Sequence, residues 1–502
     1  MKYIAIAAAV LACSHAISIK WTGYGNDNQW TNKVNWNPDQ VPGTGDDVTI
    51  SSGVVQVTIA TGVNSLVMGD SFTAPANVTF FQSFFVGSGG MQVHGNGNVF
   101  INAGTASMTG SITIGGNLFF QSGQISGQWD ITSRGTVDMS GDAEKVLSGC
   151  QLTSSASSFV LSGVLVLNQS SQVVLNTPAT LENSISIQSQ DSSSVLFDGS
   201  ATTITYTGNG EFQMMAPIKL GHFVFQGGNI TVYDSITFTQ SLPIPSGSYV
   251  STVGSAVSDF SAGLNGAGVF SAAGATTKVG NVTMSGSFNV VGGNVTFSSS
   301  GSSIATLSIS GGYSIFIHSV SATQLNLMSG NTVGPGSLSA SSLQYSTPGF
   351  NLNNALSVSN SASMGGLLAF GGSGSLTFQS TCNVSLVSSM TFTGAAGPTV
   401  TNNGVIATTS PLSFQNINLG GSGEVDVSST LSFQSATITQ ATISLAGSGI
   451  FKGASTMITM VNAVKAPSVV HAIIGSYSMN CPKECDSVST STIPSDNFHF
   501  SA

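Results

Sequence analysis

Along most of this chain polar and apolar residues alternate for four or five positions and then stop at a glycine. Gly228-Asn229-Ile230-Thr231-Val232, Gly280-Asn281-Val282-Thr283-Met284 and Gly293-Asn294-Val295-Thr296-Phe297 show the pattern in near copies. A period of two puts Asn and Thr on one face of an extended strand and the apolar residues on the other, so each unit predicts a half-buried β-strand. The units recur. Gly97-Asn98-Val99-Phe100-Ile101, Gly116-Asn117-Leu118-Phe119-Phe120 and Gly135-Thr136-Val137-Asp138-Met139 follow one another at 19-residue steps. Gly-x-Gly turns before alternating strands return at Gly208, Gly266, Gly372, Gly421 and Gly447 with a looser period. A short strand unit at a nearly fixed interval cannot bury its apolar face alone, and stacking on its neighbours solves that. The predicted architecture is all-β, a solenoid of stacked rungs.

A second repeated element, Phe-Gln-small, begins at Phe81, Phe120, Phe225, Phe378, Phe414 and Phe433. Its Phe is expected to point inward and stack from rung to rung, while its Gln either forms an amide ladder or faces water, with water favoured. Roughly twenty rungs fit between residues 60 and 465, a rod on the order of 100 Å at the strand spacing of a sheet. The chain then divides into an apolar leader over 1–16, an N-terminal cap over 17–59, the repeats over 60–465, and a Pro- and Cys-containing segment over 466–502 that reads as a cap or tail.

Composition narrows the function. Charged residues are 6% of the 502 against 41% hydrophobic, so uncharged Ser, Thr, Asn, Gln and Gly must clothe the surface. That apolar content is too high for disorder. The net charge is -10, with ten basic residues and one arginine, Arg134. Phosphate backbones need clusters of Lys and Arg, so nucleic acid is excluded as a partner. Met1-Lys2, the apolar run from Tyr3 to Ala12 and Ser14-His15-Ala16 have the order of a secretory signal with cleavage after Ala16, and removal of Lys2 would leave a charge of -11. No stretch supplies the roughly 20 apolar residues of a membrane helix. The expected location is extracellular. Exported cysteines pair, and Cys481 and Cys485 form the local disulfide candidate; the pairing of Cys150 and Cys382 stays open, with a zinc site as the weaker use of the four. Asn-x-Ser/Thr sequons at Asn77, Asn168, Asn229, Asn281, Asn294 and Asn383 are glycosylation candidates.

Between leader and repeats lie Trp21-Thr22-Gly23-Tyr24-Gly25, Trp30, Trp36-Asn37-Pro38, Val41-Pro42-Gly43 and Asp46-Asp47-Val48-Thr49-Ile50. This stretch of about 30 residues resembles the entry segment of secreted parallel β-helix repeat proteins, the autotransporter-passenger and adhesin-like proteins. The resemblance implies a right-handed parallel β-helix of the pectin-lyase-like kind in an extracellular setting, without implying catalysis. The segment after residue 466 lacks the membrane barrel that autotransporters carry. Trp21, Tyr24, Trp30 and Trp36 are expected to close the open end of the core; the competing reading is a flat aromatic platform for sugar rings.

Chemistry is sparse. Polysaccharide-cleaving enzymes need paired acids, or a base with a cation near a uronate. Candidates are Asp138 and Asp142 near Arg134 and Lys145, Asp46-Asp47, and Glu424 with Asp426. The charged group around Arg134 reads first as a solvated turn. His94-Gly95 echoes a fragment of the polygalacturonase pattern without its companions. No nucleophile elbow, zinc helix, phosphate loop or calcium loop occurs, and no cofactor is expected. The sequence therefore points to a non-catalytic structural or adhesive glycoprotein of an extracellular coat, wall or matrix. Its expected partners are polysaccharide, matrix or cell-surface proteins, and itself. A polysaccharide-degrading enzyme is the alternative. Ice binding is a weaker one, because Thr205-Tyr206-Thr207, Thr237-Phe238-Thr239, Thr391-Phe392-Thr393 and Thr437-Ile438-Thr439 are irregularly spaced.

Overall fold

The computed structural model describes residues 16–70, 74–132, 135–190, 194–346, 349–395, 397–445, 450–454, 456–459, 471–474 and 477–480. The chain is 65% strand and 1% helix, wound as a parallel β-solenoid of about 19 turns. It falls into two units, residues 1–226 and 227–502.

In the first unit most strands pair in parallel with one two or three places on, and a long strand such as Phe84–Val93 takes two successive partners, Thr105–Met108 and Ile112–Ile114. Asp47–Ile50 pairs in parallel with Thr61–Met68, and that strand with Phe84–Val93. Gly53–Val57 pairs with Ala76–Phe80, then with Gly97–Ile101, Asn117–Phe120 and Thr136–Met139. The ladder thus starts upstream of residue 60. The repeating glycines have a steric cause here. A Cβ at Gly116 would sit 2.0 Å from the Gly97 carbonyl oxygen, and one at Gly135 would sit 2.0 Å from that of Gly116. Backbone meets backbone at this corner, and only glycine fits.

On the outer face of the same row, Asn98 donates to Asn77 Oδ1 at 2.6 Å and Asn117 donates to Asn98 Oδ1 at 2.7 Å. The Thr136 N–H completes the run, donating to Asn117 Oδ1 at 3.0 Å. Carboxamides stacked in register each offer a donor to one neighbour and an acceptor to the other. The amide ladder therefore belongs to the Asn that follows the repeat glycine. Among the described residues the Phe-Gln-small units make no Gln–Gln bond of this kind; Gln379, for example, donates to Ser357 Oγ at 2.7 Å.

In the second unit the core is a Phe spine. Phe238 and Phe260 lie 5.2 Å apart at 19°, Phe260 meets Phe270 edge-on, and Phe297 and Phe316 stack at 4.9 Å and 14°. Phe392, Phe414 and Phe433 continue such stacking with ring centres 5.2 Å apart. Inward Phe was expected at six positions. Phe120, Phe225, Phe378, Phe414 and Phe433 are buried, whereas Phe81 is 38% exposed because its neighbour Phe80 takes the core position as the chain turns. Where corners leave carbonyls unpaired, inward polar side chains serve them: Asn354 donates to Gly334 and Gly336, and Gln440 to Asn402 and Gly423. Strands His471–Ile474 and Tyr477–Asn480 pair in parallel with Ile450–Ala454 and Thr456–Thr459, so the ladder extends past residue 465.

Candidate binding face

Register in the second unit assembles a surface that no contiguous stretch of sequence displays. Ser287, Thr306, Gln324, Ser342, Ser361 and Asn383 are partners on successive rungs. Two residues further along the same strands, Asn289, Ser308, Asn326, Gln344, Ser363 and Ser385 form a second column. Between the columns Phe288, Leu307, Leu325, Leu343, Ala362 and Val384 are buried, so strand alternation turns both columns outward. All twelve outward residues are uncharged amides or hydroxyls. Six rungs at the spacing of a sheet extend roughly 24 Å, with about 6.7 Å between columns. Val405 and Ala407 occupy the next rung, and Glu424 and Asp426 the one after.

Part of the face is internally bonded. Gln324 donates to Asn326 Oδ1 at 3.0 Å, Asn326 to Ser308 Oγ at 3.1 Å, and Ser361 to Ser342 Oγ at 3.1 Å. Those bonds fix side-chain rotamers before any partner arrives. The amides of Gln344 and Asn383 are exposed and have no protein partner among the described residues. They line an open groove of about 540 Å³ together with Gln324, Ser342, Ser361 and Ser363. A lattice of neutral donors and acceptors with free capacity suits a neutral hydroxyl-rich ligand and offers a charged one no counter-charge.

No protein-family model, curated protein or solved structure matches this chain.

The aromatic candidates at the N-terminus do not form a platform. Trp30 and Trp36 are buried to 0% and 1% exposure, packed edge-to-face at 4.8 Å, with Trp36 Nε1 donating to the Trp30 carbonyl. Trp21 is half-buried against Trp36, and only Tyr24 stands free, at 78% exposure. Two of the four rings are spent on the core, as closing it requires, and the competing four-ring sugar platform is not formed. Ser18–Trp21 (β1) lies parallel on Asp47–Ile50, and Trp36–Asn37 (β2) covers the other edge of β1 in the antiparallel sense. Pro38 follows without an N–H, so the ladder ends there. Asn35 is the polar centre, taking the Gly25 N–H on Oδ1 and donating Nδ2 to Asp27 Oδ1 and the Gln29 carbonyl. Asp27 also receives the Gln29 N–H and the Asn32 amide, and these bonds, the Gln29 N–H first, hold its carboxyl below the ordinary range.

Three of the acidic candidates, Asp46, Asp47 and Asp138, spend carboxylate oxygens on neighbouring backbone and side chains. Asp46 Oδ2 accepts the Gly43 N–H, and Asp47 Oδ1 accepts Asn64 and Ser65. Asp138 Oδ1 accepts the Ser140 N–H at 2.9 Å, a turn repeated at Asp198–Ser200 and Asp259–Ser261. Asp142 is exposed, and Arg134 lies outside the described residues. Lys145 is fully buried, and its ammonium donates to the carbonyls of Gly141, Ala143 and Ser162 at 2.7, 2.9 and 3.1 Å. Burial pushes it below its ordinary value, against the pull of Asp142 and Asp138. Among the described residues no group of three His, Cys, Asp or Glu is placed to hold a metal.

Of the sequons, Asn229, Asn281, Asn294 and Asn383 are exposed. Asn77 is tied into the amide ladder, and Asn168 donates to Gln190 Oε1 at 3.0 Å. Cys150 and Cys382 are free and buried; burial raises their thiols to about 12 and about 11. Cys481 and Cys485 lie outside the described residues, as do residues 1–15 of the 1–16 leader. None of the four Thr-x-Thr pairs stacks on another: Thr391 and Thr393, for instance, meet Ser413 and Gln415.

Proposed function

We propose that this protein is a non-catalytic structural or adhesive β-solenoid of an extracellular coat, wall or matrix, and that it binds neutral polysaccharide through the two-column face. The observation that carries the reading is the register of twelve uncharged amides and hydroxyls over six rungs. Repetition at sheet spacing suits a partner that repeats too, because many weak contacts along one chain add as avidity. The signal-like leader and the resemblance of the entry segment to adhesin-like β-helix proteins support an exported location, and the exposed sequons support a glycoprotein. Cosedimentation of the purified chain with insoluble polysaccharides, chitin and cellulose among them, tests the reading. Selective depletion from the supernatant is expected; a chain left wholly in solution by every polysaccharide of the panel overturns it.

A further inference from the structure

Asn383 has two properties that meet at one place. It is the first residue of the strand Asn383–Gly394 and lines the groove with Gln324, Ser342, Gln344, Ser361 and Ser363. It also opens the sequon Asn383-Val384-Ser385, exposed and with no hydrogen bond from its amide to the protein among the described residues. Asn77 and Asn168, by contrast, engage their carboxamides with neighbouring side chains. We propose that Asn383 is glycosylated and that its sugar chain lies along this groove, closing the face to external polysaccharide. The inference rests on the face reading above and adds its regulation.

The modification needs a lipid-diphosphate-linked oligosaccharide as donor. A bond forms between Asn383 Nδ2 and the anomeric carbon, and the bond from that carbon to the diphosphate oxygen breaks. The lipid diphosphate leaves with the electron pair, Nδ2 gives up one proton, and nothing is oxidised or reduced. The groove then holds its occupant by proximity. At about 540 Å³ it lies within the range of small-ligand sites, roughly 300–1,000 Å³. A tethered sugar faces the Gln344 amide and the Ser361 and Ser363 hydroxyls at effective concentrations on the order of millimolar. An untethered chain that makes the same neutral hydrogen bonds competes poorly against that.

The full chain produced in a host that N-glycosylates secreted proteins, compared with the chain from a host that does not, tests the proposal. Peptide mass spectrometry is expected to find Asn383 modified in the first, and an unmodified Asn383 there overturns the proposal. On a polysaccharide that retains the unmodified chain, the glycosylated chain is expected to bind roughly tenfold more weakly, the equivalent of one or two lost hydrogen bonds. Withholding the lipid-linked donor from the glycosylating host should recover the difference, and Gln344→Ala should weaken the binding of the unmodified chain. Binding that ignores all three changes overturns the groove and its closure while leaving the face reading intact. Failure of the unmodified chain to bind anything removes the face reading itself, and this inference with it.

Discussion

Single residues decide how the ends and corners of this solenoid are closed. Asp27 gathers the Gln29 N–H and the amides of Asn32 and Asn35, and so holds the loop that packs Trp30 and Trp36. Its folded pKa lies below the ordinary 3.8. Its contribution is therefore complete above that ordinary value and is lost as the pH falls through the folded value. Tryptophan emission of the full chain, followed on acidification, should shift to the red below pH 4 as the rings meet water, and Asp27→Asn should weaken that acid transition. Lys145 shifts stability with pH in the same direction but for the opposite reason, because burial disfavours its charged form. Its folded pKa is depressed below 10.5, so the cost of burying its charge is relieved as the pH climbs through the folded value toward the unfolded one. Its three carbonyl bonds still matter at neutral pH. Lys145→Met leaves those carbonyls unpaired and should cost about 2–3 kcal/mol, in the range of hydrogen bonds to a charged donor, measured by urea unfolding.

At the scale of the element, the rung owes its period to close approach of the backbone. Gly116→Ala places a methyl against the Gly97 carbonyl, where no rotamer can relieve it. It should destabilise the chain by about 1–3 kcal/mol, the range for overpacking, and lower the urea midpoint accordingly. This is why the repeat was legible: the steric demand falls on one residue type at one interval, and the alternation beside it places Val99, Leu118 and Val137 inside. The inward Phe of the later rungs was legible for the same reason. Phe80 and Phe81 show the limit, since two adjacent Phe leave the alternation ambiguous until the corner is known. The Asn ladder was visible only as the residue after each glycine, at Asn98 and Asn117, and its hydrogen bonds emerge only when rungs are stacked.

Over the whole molecule, the candidate face stayed hidden because it is made of register. Successive partners lie 18 residues apart from Gln324 to Ser342 but 22 apart from Ser361 to Asn383. The register also shifts within the pairs, between Ala340 and Ser342 and again between Met364 and Gly366. A fixed period cannot align these residues, whereas the ladder does. The aromatic cluster was legible as core-closing, yet the closeness of Trp21, Trp30 and Trp36 in sequence does not reveal which rings the core claims and which stay at the surface. What remains outward in the second unit is a neutral lattice, and neutrality has a consequence that can be read directly. Screening by salt weakens exposed charge pairs and leaves neutral hydrogen bonding largely untouched. The decisive measurement is a binding isotherm of the unmodified chain on the polysaccharide that retains it, at low and high salt, with Asn326→Lys beside the wild type. Binding that keeps its strength from low to high salt and falls at least roughly tenfold in the variant is the expected result, since Asn326 bonds both Gln324 and Ser308. Binding released by salt and indifferent to Asn326 would contradict the account and place the contact elsewhere.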